Sequence, residues 1–348
     1  MLFIAFAAVS CGPRSPKVDG GRIITVTIPP FAWFVEQIGG EDFRVSVLLP
    51  PGADHHIWEP LPAQISALAG SEAFIINGQL GFEHAWMDRF RQVNPGMKVL
   101  DLSGNIQLIG SEGQKVGGSE SQKVGGSEGL KVGGSESQEA GSHEGHDHEG
   151  EEAGSHEGHD HEGEEAGSHG SADMALSDDQ DHMHGGPDPH YWMSPAAARI
   201  MAQDIRDFLA GLNPASAARY DANLAAVNRQ IAEVDSLVHA ALGPDSHRTV
   251  MIYHPALAYM GDEYGFEQVS FEDEGKNPSP ARMKELIDLA RDREIKIIFI
   301  QAEYDVRNAE SLSRETGAEL VVINPMNSKW PEAVLEVAKA MGKTGRRQ

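Results

Sequence analysis

The sequence predicts an α/β protein of two lobes, each a parallel sheet flanked by helices, joined by one long rigid helix. Three observations carry this. Short β-rich runs alternate with amphipathic helical stretches in both halves of the chain, and such alternation builds parallel sheets covered by helices. With 348 residues, 40% hydrophobic and 23% charged, the chain holds too much apolar material for disorder and is long enough for two cores. Between the halves, residues 214–242 begin at a proline, are rich in alanine, and place Leu224, Val227, Ile231, Val234 and Val238 at spacings of three and four.

Taken in order, the first ten residues, MLFIAFAAVS, are apolar and end in small residues directly before Cys11, and GPRSPKVDGG follows as a flexible leader. Residues 1–21 are therefore expected to be a signal peptide and lipoprotein leader, with lipid on Cys11. Cys11 is the only cysteine, which excludes an intramolecular disulfide and every cysteine-based zinc site. The N-terminal lobe, residues 22–212, has strand candidates RIITVTI, FRVSVLL, EAFIIN and MKVLDL and helices over 31–38, 61–69, 82–92 and 195–210. The linking helix is assigned to 213–243; at ~1.5 Å per residue its helical stretch spans about 43 Å, enough to run along both lobes and stiffen the hinge. In the C-terminal lobe, residues 244–348, RTVMIY, FEQVSF, IKIIFI and ELVVIN alternate with helices over 256–264, 280–291, 307–316 and 331–341. Past the leader, no run reaches the ~18 apolar residues of a membrane span.

One segment breaks the rhythm. Within residues 110–186, KVGGSE recurs at 115, 123 and 131, and EAGSHEGHDHEGE at 139 repeats identically at 152. Of the chain's 53 acidic and 28 basic residues this segment holds 19 and 3, so its net charge of −16 dominates the total of −25. Repeated glycine, low hydrophobicity and self-repulsion predict a disordered insert. The acidic balance excludes nucleic acid as a partner, because phosphate neutralisation needs a cationic face.

Sixteen histidines turn attention to metal. His56 follows a predicted strand in LLPPGADHHIWEPLP, His254 comes directly after the strand RTVMIY, and His190, in DPHYWMSP, precedes the helix that begins at Pro195. Ligands in open α/β sheets bind at the carboxyl ends of strands, so three histidines in comparable loops can converge on one ion, and neutral imidazole suits zinc. A core or surface role remains open for each taken singly. The insert adds His143, His146, His148, His156, His159, His161, His169, His182 and His184 among acids; such a segment can bind divalent ions weakly and exchange them fast, or can be a solvated spacer. His84, His239 and His247 are assigned solvated or capping roles. Glu59, Asp188 and Glu303 are placed where they can orient ligands, though Glu59 and Asp188 can equally cap helices. Trp33, Phe34, Trp58, Tyr191 and Trp192 are expected to pack around the site and exclude water.

These motifs resemble those of the cluster A-I solute-binding proteins of metal-transporting ABC systems, the ZnuA-like zinc and TroA/PsaA-like manganese receptors. The resemblance covers roughly residues 22–340 outside the insert: PPGADHHIWEP is similar to PPGADPHxYEP, DPHYWMSP to DPHxWLDP, and YHPALAY to FHPAFxY. It implies His56, His190 and His254 as metal ligands, and histidine rather than a carboxylate at the third position implies zinc. His55 stands where the motif has proline and is the lesser candidate. Asn324, in Asn324-Pro325-Met326, stands where the family often has a ligating aspartate. A three-histidine site with water in the fourth position and Asn324 nearby as a hydrogen-bond partner is therefore expected, the alternatives being coordination by Asn324 or by a carboxylate such as Glu59 or Glu272.

The function expected is that of a monomeric, lipid-anchored extracytoplasmic receptor that captures Zn(II) between its lobes and delivers it to a membrane ABC permease. The long helix implies small lobe movements, with release through loops around His190 and the C-terminal lobe. The rivals are a manganese receptor of the same family, a zinc-dependent hydrolase using three histidines and an activated water, and a surface metal store or adhesin dominated by the insert. No HExxH motif is present to support the hydrolase.

Overall fold

The computed structural model describes residues 21–110, 186–243, 248–272 and 277–345. Cys11, His247 and the nine insert histidines lie outside the described residues, as does most of the expected leader. Among the described residues no helix is long and apolar enough to cross a membrane.

In the first half, strands β1 (Arg22–Val26), β2 (Phe43–Val47), β3 (Ala73–Ile76) and β4 (Lys98–Asp101) form one sheet in the order β2-β1-β3-β4. All its pairings are parallel. The second half repeats the plan with β5 (Thr249–Ile252), β6 (Glu267–Ser270), β7 (Ile297–Gln301) and β8 (Glu319–Ile323), in the order β6-β5-β7-β8. Position in the sheet follows composition: central β3 and β7 are buried at every residue, whereas edge β2 buries only Phe43. A parallel strand covered on both faces needs a continuous apolar run, and AFII and IIFIQ supply one.

The connecting helices are α1 (Pro29–Gly39), α2 (Pro62–Ala67), α3 (Gly81–Val93), α4 (Pro195–Leu212), α5 (Ala217–Leu242), α6 (Ala258–Tyr264), α7 (Pro280–Asp292), α8 (Arg307–Thr316) and α9 (Trp330–Gly345). Proline opens α1, α2, α4 and α7, where its missing N–H costs nothing. The linking helix is shorter than expected, because Pro214–Ser216 form a 3-10 turn and α5 starts only at Ala217. Its buried residues, Tyr220, Leu224, Val227, Ile231, Val234, Val238 and Leu242, form one stripe, and α5 packs on α1 and α4 of the first lobe and on α9 of the second. Each such aliphatic side chain contributes roughly 1.5–3 kcal/mol on burial, so the stripe joins the lobes firmly. One apolar core accordingly runs from the first sheet through α4, α5 and α9 to the second; a separate cluster including Leu286, Ile298, Ile300 and Leu312 covers the other face of the second sheet.

At the margins of the insert, Gly110 and Pro187 form an antiparallel bridge and Asp188 N donates to Ile109 O at 2.7 Å. These contacts set Ile109 and Gly110 beside the loop that carries His190.

A four-histidine candidate metal centre

His254 is placed by sheet register. β5 pairs with β6 as Ile252↔Ser270 and with β7 as Ile252↔Phe299, so two residues further on His254 lies between Glu272 and Gln301. The Gln301 amide donates to the His254 carbonyl at 2.6 Å, and the His254 N–H donates to Oε1 of Gln301 at 3.3 Å. On the other side the His254 ring Nδ1–H donates to Glu272 Oε1 at 2.8 Å. A carboxylate can only accept, so Nε2 keeps its lone pair for a ligand.

His190 is held from more directions. Its backbone N–H and its ring Nδ1–H both donate to Asp188 Oδ1, at 2.7 and 2.8 Å, which again frees Nε2. Asn77, just past β3, donates its amide to the Pro189 carbonyl at 3.0 Å and accepts the Tyr191 hydroxyl at 2.7 Å. Asn77 and Gly78 in turn donate their backbone N–H groups to the buried Glu83 carboxylate at 2.8 and 2.6 Å, whose pKa burial pushes up to about 7. Gly78 has φ +84°, and a Cβ there would collide with the Asp101 carboxylate, so only glycine fits this turn. From the second lobe, the Tyr259 hydroxyl donates to the Asp188 carbonyl at 2.8 Å.

His55 and His56 share the turn after β2. Asp54 shapes it, accepting the His56 N–H on Oδ1 at 2.9 Å and the Trp58 N–H on its carbonyl at 3.0 Å. In an extended strand neighbouring side chains diverge; in this turn both imidazoles face the same point, with ring centroids 4.1 Å apart. Among the described residues, His55, His56, His190 and His254 each bring a nitrogen into a group spanning no more than 4.8 Å. His55 Nε2 and His190 Nε2 approach to 2.9 Å. Tetrahedral zinc with bonds of ~2.0–2.1 Å separates its nitrogen ligands by roughly 3.3–3.4 Å, within the range spanned here.

The surroundings suit a cation carried by neutral ligands. His55, His190 and His254 are 3, 2 and 9% exposed, while His56 is exposed. Burial pushes the His55 ring well below the ordinary histidine range, with its three imidazole neighbours adding to the effect. Burial also lowers His190, against the opposing pull of Asp188. His254 Nε2 is buried without a hydrogen-bond partner, as befits a nitrogen kept for something other than a proton donor. Asp188 and Glu272 put two carboxylates one imidazole away from the shared point.

The structure therefore gathers His56, His190 and His254, and His55 with them. Asn324 is exposed, and its side-chain oxygen accepts the Met326 N–H at 3.0 Å in a local turn. Asp188 orients a histidine as expected, but Glu59 lies exposed, and Glu272 takes the second orienting role that Glu303 was expected to share. Of the five aromatics expected around the site, Trp192 alone among the described residues has ring contacts with the histidines, at 5.1 Å from His190 and 6.1 Å from His55. Trp58 packs on Phe82, and Trp33 and Phe34 pack on Trp330. Tyr304, 6.2 Å from His254, had no sequence signal. His84 is exposed, and His239 is a surface residue paired with Asp235.

Residues 24–337 match the family model described as zinc-uptake complex component A periplasmic, ZnuA. The chain belongs to the ZnuA family. A crystal structure of ZnuA is 26% identical, with a TM-score of 0.69, covering 93% of this chain and 98% of that one. A zinc-bound ZnuA deletion mutant gives 26% and 0.67, with 92 and 97% covered. Among curated relatives, the zinc-binding lipoprotein AdcA of Streptococcus pneumoniae is 24% identical over 332 residues, 94% of this chain and 54% of the relative. The manganese-binding lipoprotein MntA of Halalkalibacterium halodurans is 21% identical over 331 residues, 92% of this chain and 85% of the relative. The chain thus spans about half the length of the AdcA proteins it matches. The family is one of transport components rather than of enzymes.

Partners that orient a metal-bound imidazole are typically worth about 10–100-fold in affinity. Asp188→Ala is expected to weaken zinc binding by that amount in chelator competition, and Asp188→Asn by less, because an amide oxygen still accepts the Nδ1–H. Equal losses in the two variants would show that charge, not orientation, dominates.

Proposed function

We propose that this chain is an extracytoplasmic zinc receptor that binds one Zn²⁺ ion through His55, His56, His190 and His254 in the cleft between its lobes and passes it to a membrane ABC permease. The observation that carries the reading is the convergence of four imidazole nitrogens, two of the rings held by carboxylates at Nδ1. Four neutral nitrogen donors suit a borderline ion such as zinc and disfavour manganese, which prefers oxygen donors and stands lowest in the divalent affinity series. The names of the AdcA and ZnuA relatives agree with zinc. With His55 as fourth donor, no coordination position is left for an activated water, which speaks against a hydrolase. The lipoprotein names of AdcA and MntA support a lipid anchor at Cys11. The insert histidines serve as a weaker, faster-exchanging pool of bound metal.

The test is metal analysis of the protein as purified, followed by anaerobic titration with Zn²⁺ and Mn²⁺ in competition. One tightly held zinc per chain that excess manganese does not displace is the expected result. Stoichiometric displacement by manganese would overturn the zinc assignment, and tight zinc in a His190→Ala/His254→Ala double variant would overturn the site.

A further inference from the structure

Trp192, two residues past His190, makes two buried hydrogen bonds to the second lobe, one through its indole N–H and one through its backbone carbonyl. Its indole N–H donates to the Pro325 carbonyl at 3.0 Å, and its own carbonyl accepts the indole N–H of Trp330 at 2.6 Å. Trp192, Pro325 and Trp330 are all buried. Pro325 lies in the loop between β8 and α9, which is a chain of local turns: Asn324 Oδ1 accepts the Met326 N–H, the Asn324 carbonyl accepts the Asn327 N–H at 3.1 Å, and Asn327 Oδ1 accepts the Lys329 N–H at 2.9 Å. The same Trp192 ring lies against His190 and His55. One side chain therefore touches two of the four candidate donors and, through its N–H, the opposite lobe.

The geometry points to Trp192 as a positioning residue for metal retention, joining the histidine cluster to the β8–α9 loop so that the ion leaves when this staple opens. The inference rests on the four-histidine reading above. Its physical basis is that a buried indole N–H or carbonyl stripped of its partner is costly, so the two bonds favour the arrangement in which the donors are gathered. A ligand is retained in proportion to the population of the state that gathers its donors. This also gives a role to the loop where the resemblance led to the expectation of a ligating acid and this chain has Asn324: the loop acts through the Pro325 carbonyl on Trp192, not on the metal.

The experiment compares full-length wild type with Trp192→Phe and Trp330→Phe. Zinc release is followed by capture in an excess of chromogenic chelator, melting is recorded with and without zinc, and Co²⁺ absorption reports the donor geometry. Trp330→Phe is the decisive variant, because Trp330 stacks on Trp33 and Phe34 and its replacement keeps all four histidines and the Trp192 ring. Both variants are expected to release zinc faster, on the order of tenfold for one lost buried hydrogen bond. The zinc-induced rise in Tm should shrink, while the Co²⁺ bands keep their wild-type positions. Release at the wild-type rate in both variants, or a fall in the metal-free Tm with the zinc-induced rise unchanged, would overturn the proposal alone. Wild-type protein that fails to hold zinc would end the four-histidine reading and this inference together.

Discussion

Replacing His190 by alanine is expected to weaken zinc binding by about two orders of magnitude. A full set of protein ligands holds zinc with roughly 10–16 kcal/mol near neutral pH, so one of four donors accounts for about 3 kcal/mol, on the order of a hundredfold in Kd. His190 should reach that figure because its ring is buried, its Nε2 lies 2.9 Å from His55 Nε2, and Asp188 holds its orientation. The substitution also strips the half-buried Asp188 carboxylate of its ring partner, which adds a cost to the fold. His56→Ala should cost less, since His56 is the exposed member of the group. Competition against a zinc chelator of known affinity measures both. A His190→Ala protein that binds as wild type does would remove the site.

Acid is expected to release zinc, and the shifts at His55 and His190 set where. Coordination requires neutral imidazole, so protons compete with the ion only below the pKa that each ring has in the metal-free protein. Burial lowers both rings from the ordinary value of 6.5. The sign follows: these two rings take protons only at lower pH than an ordinary imidazole does, so they stay neutral through neutral pH and cost no affinity there. Once both titrate, Kd should rise by up to about a hundredfold per pH unit, one factor of ten for each competing proton. Chelator-competed Kd values from about pH 8 to about pH 5 would show a plateau and then a steep fall in affinity. A loss that begins above pH 7 and remains shallow would contradict buried, neutral donors.

Much of this molecule is legible one residue at a time. Among the described residues the eight strands fall where short β-rich runs predict them, and α8 runs over the predicted 307–316, because a strand or helix is announced by a local period of apolar residues. Limits shift where local chemistry intervenes, as at Pro214–Ser216, where a 3-10 turn precedes α5. Three of the four clustered histidines were legible because each follows a strand end or precedes a helix start. Glu272 was expected only as an alternative ligand and not as the partner of His254, although it is two residues past the end of β6 as His254 is past β5: the pair becomes visible only when the register Ile252↔Ser270 is known.

The sequence by itself determined the alternating elements, the two parallel sheets, the helix between them and the loops where a ligand could sit, since all of these depend on residues within a few positions of one another. Only the tertiary structure decided which nitrogens meet. Whether His55 joins His56 depends on how the Asp54 turn aims two adjacent side chains, and on Trp192 standing against the His55 ring from 137 residues further along. Whether Asn324 reaches the metal depends on a turn that commits its oxygen to Met326 and gives the Pro325 carbonyl to Trp192. Such choices are made by contacts between distant segments, whose geometry exists only once α5 and α9 have packed and set one lobe against the other.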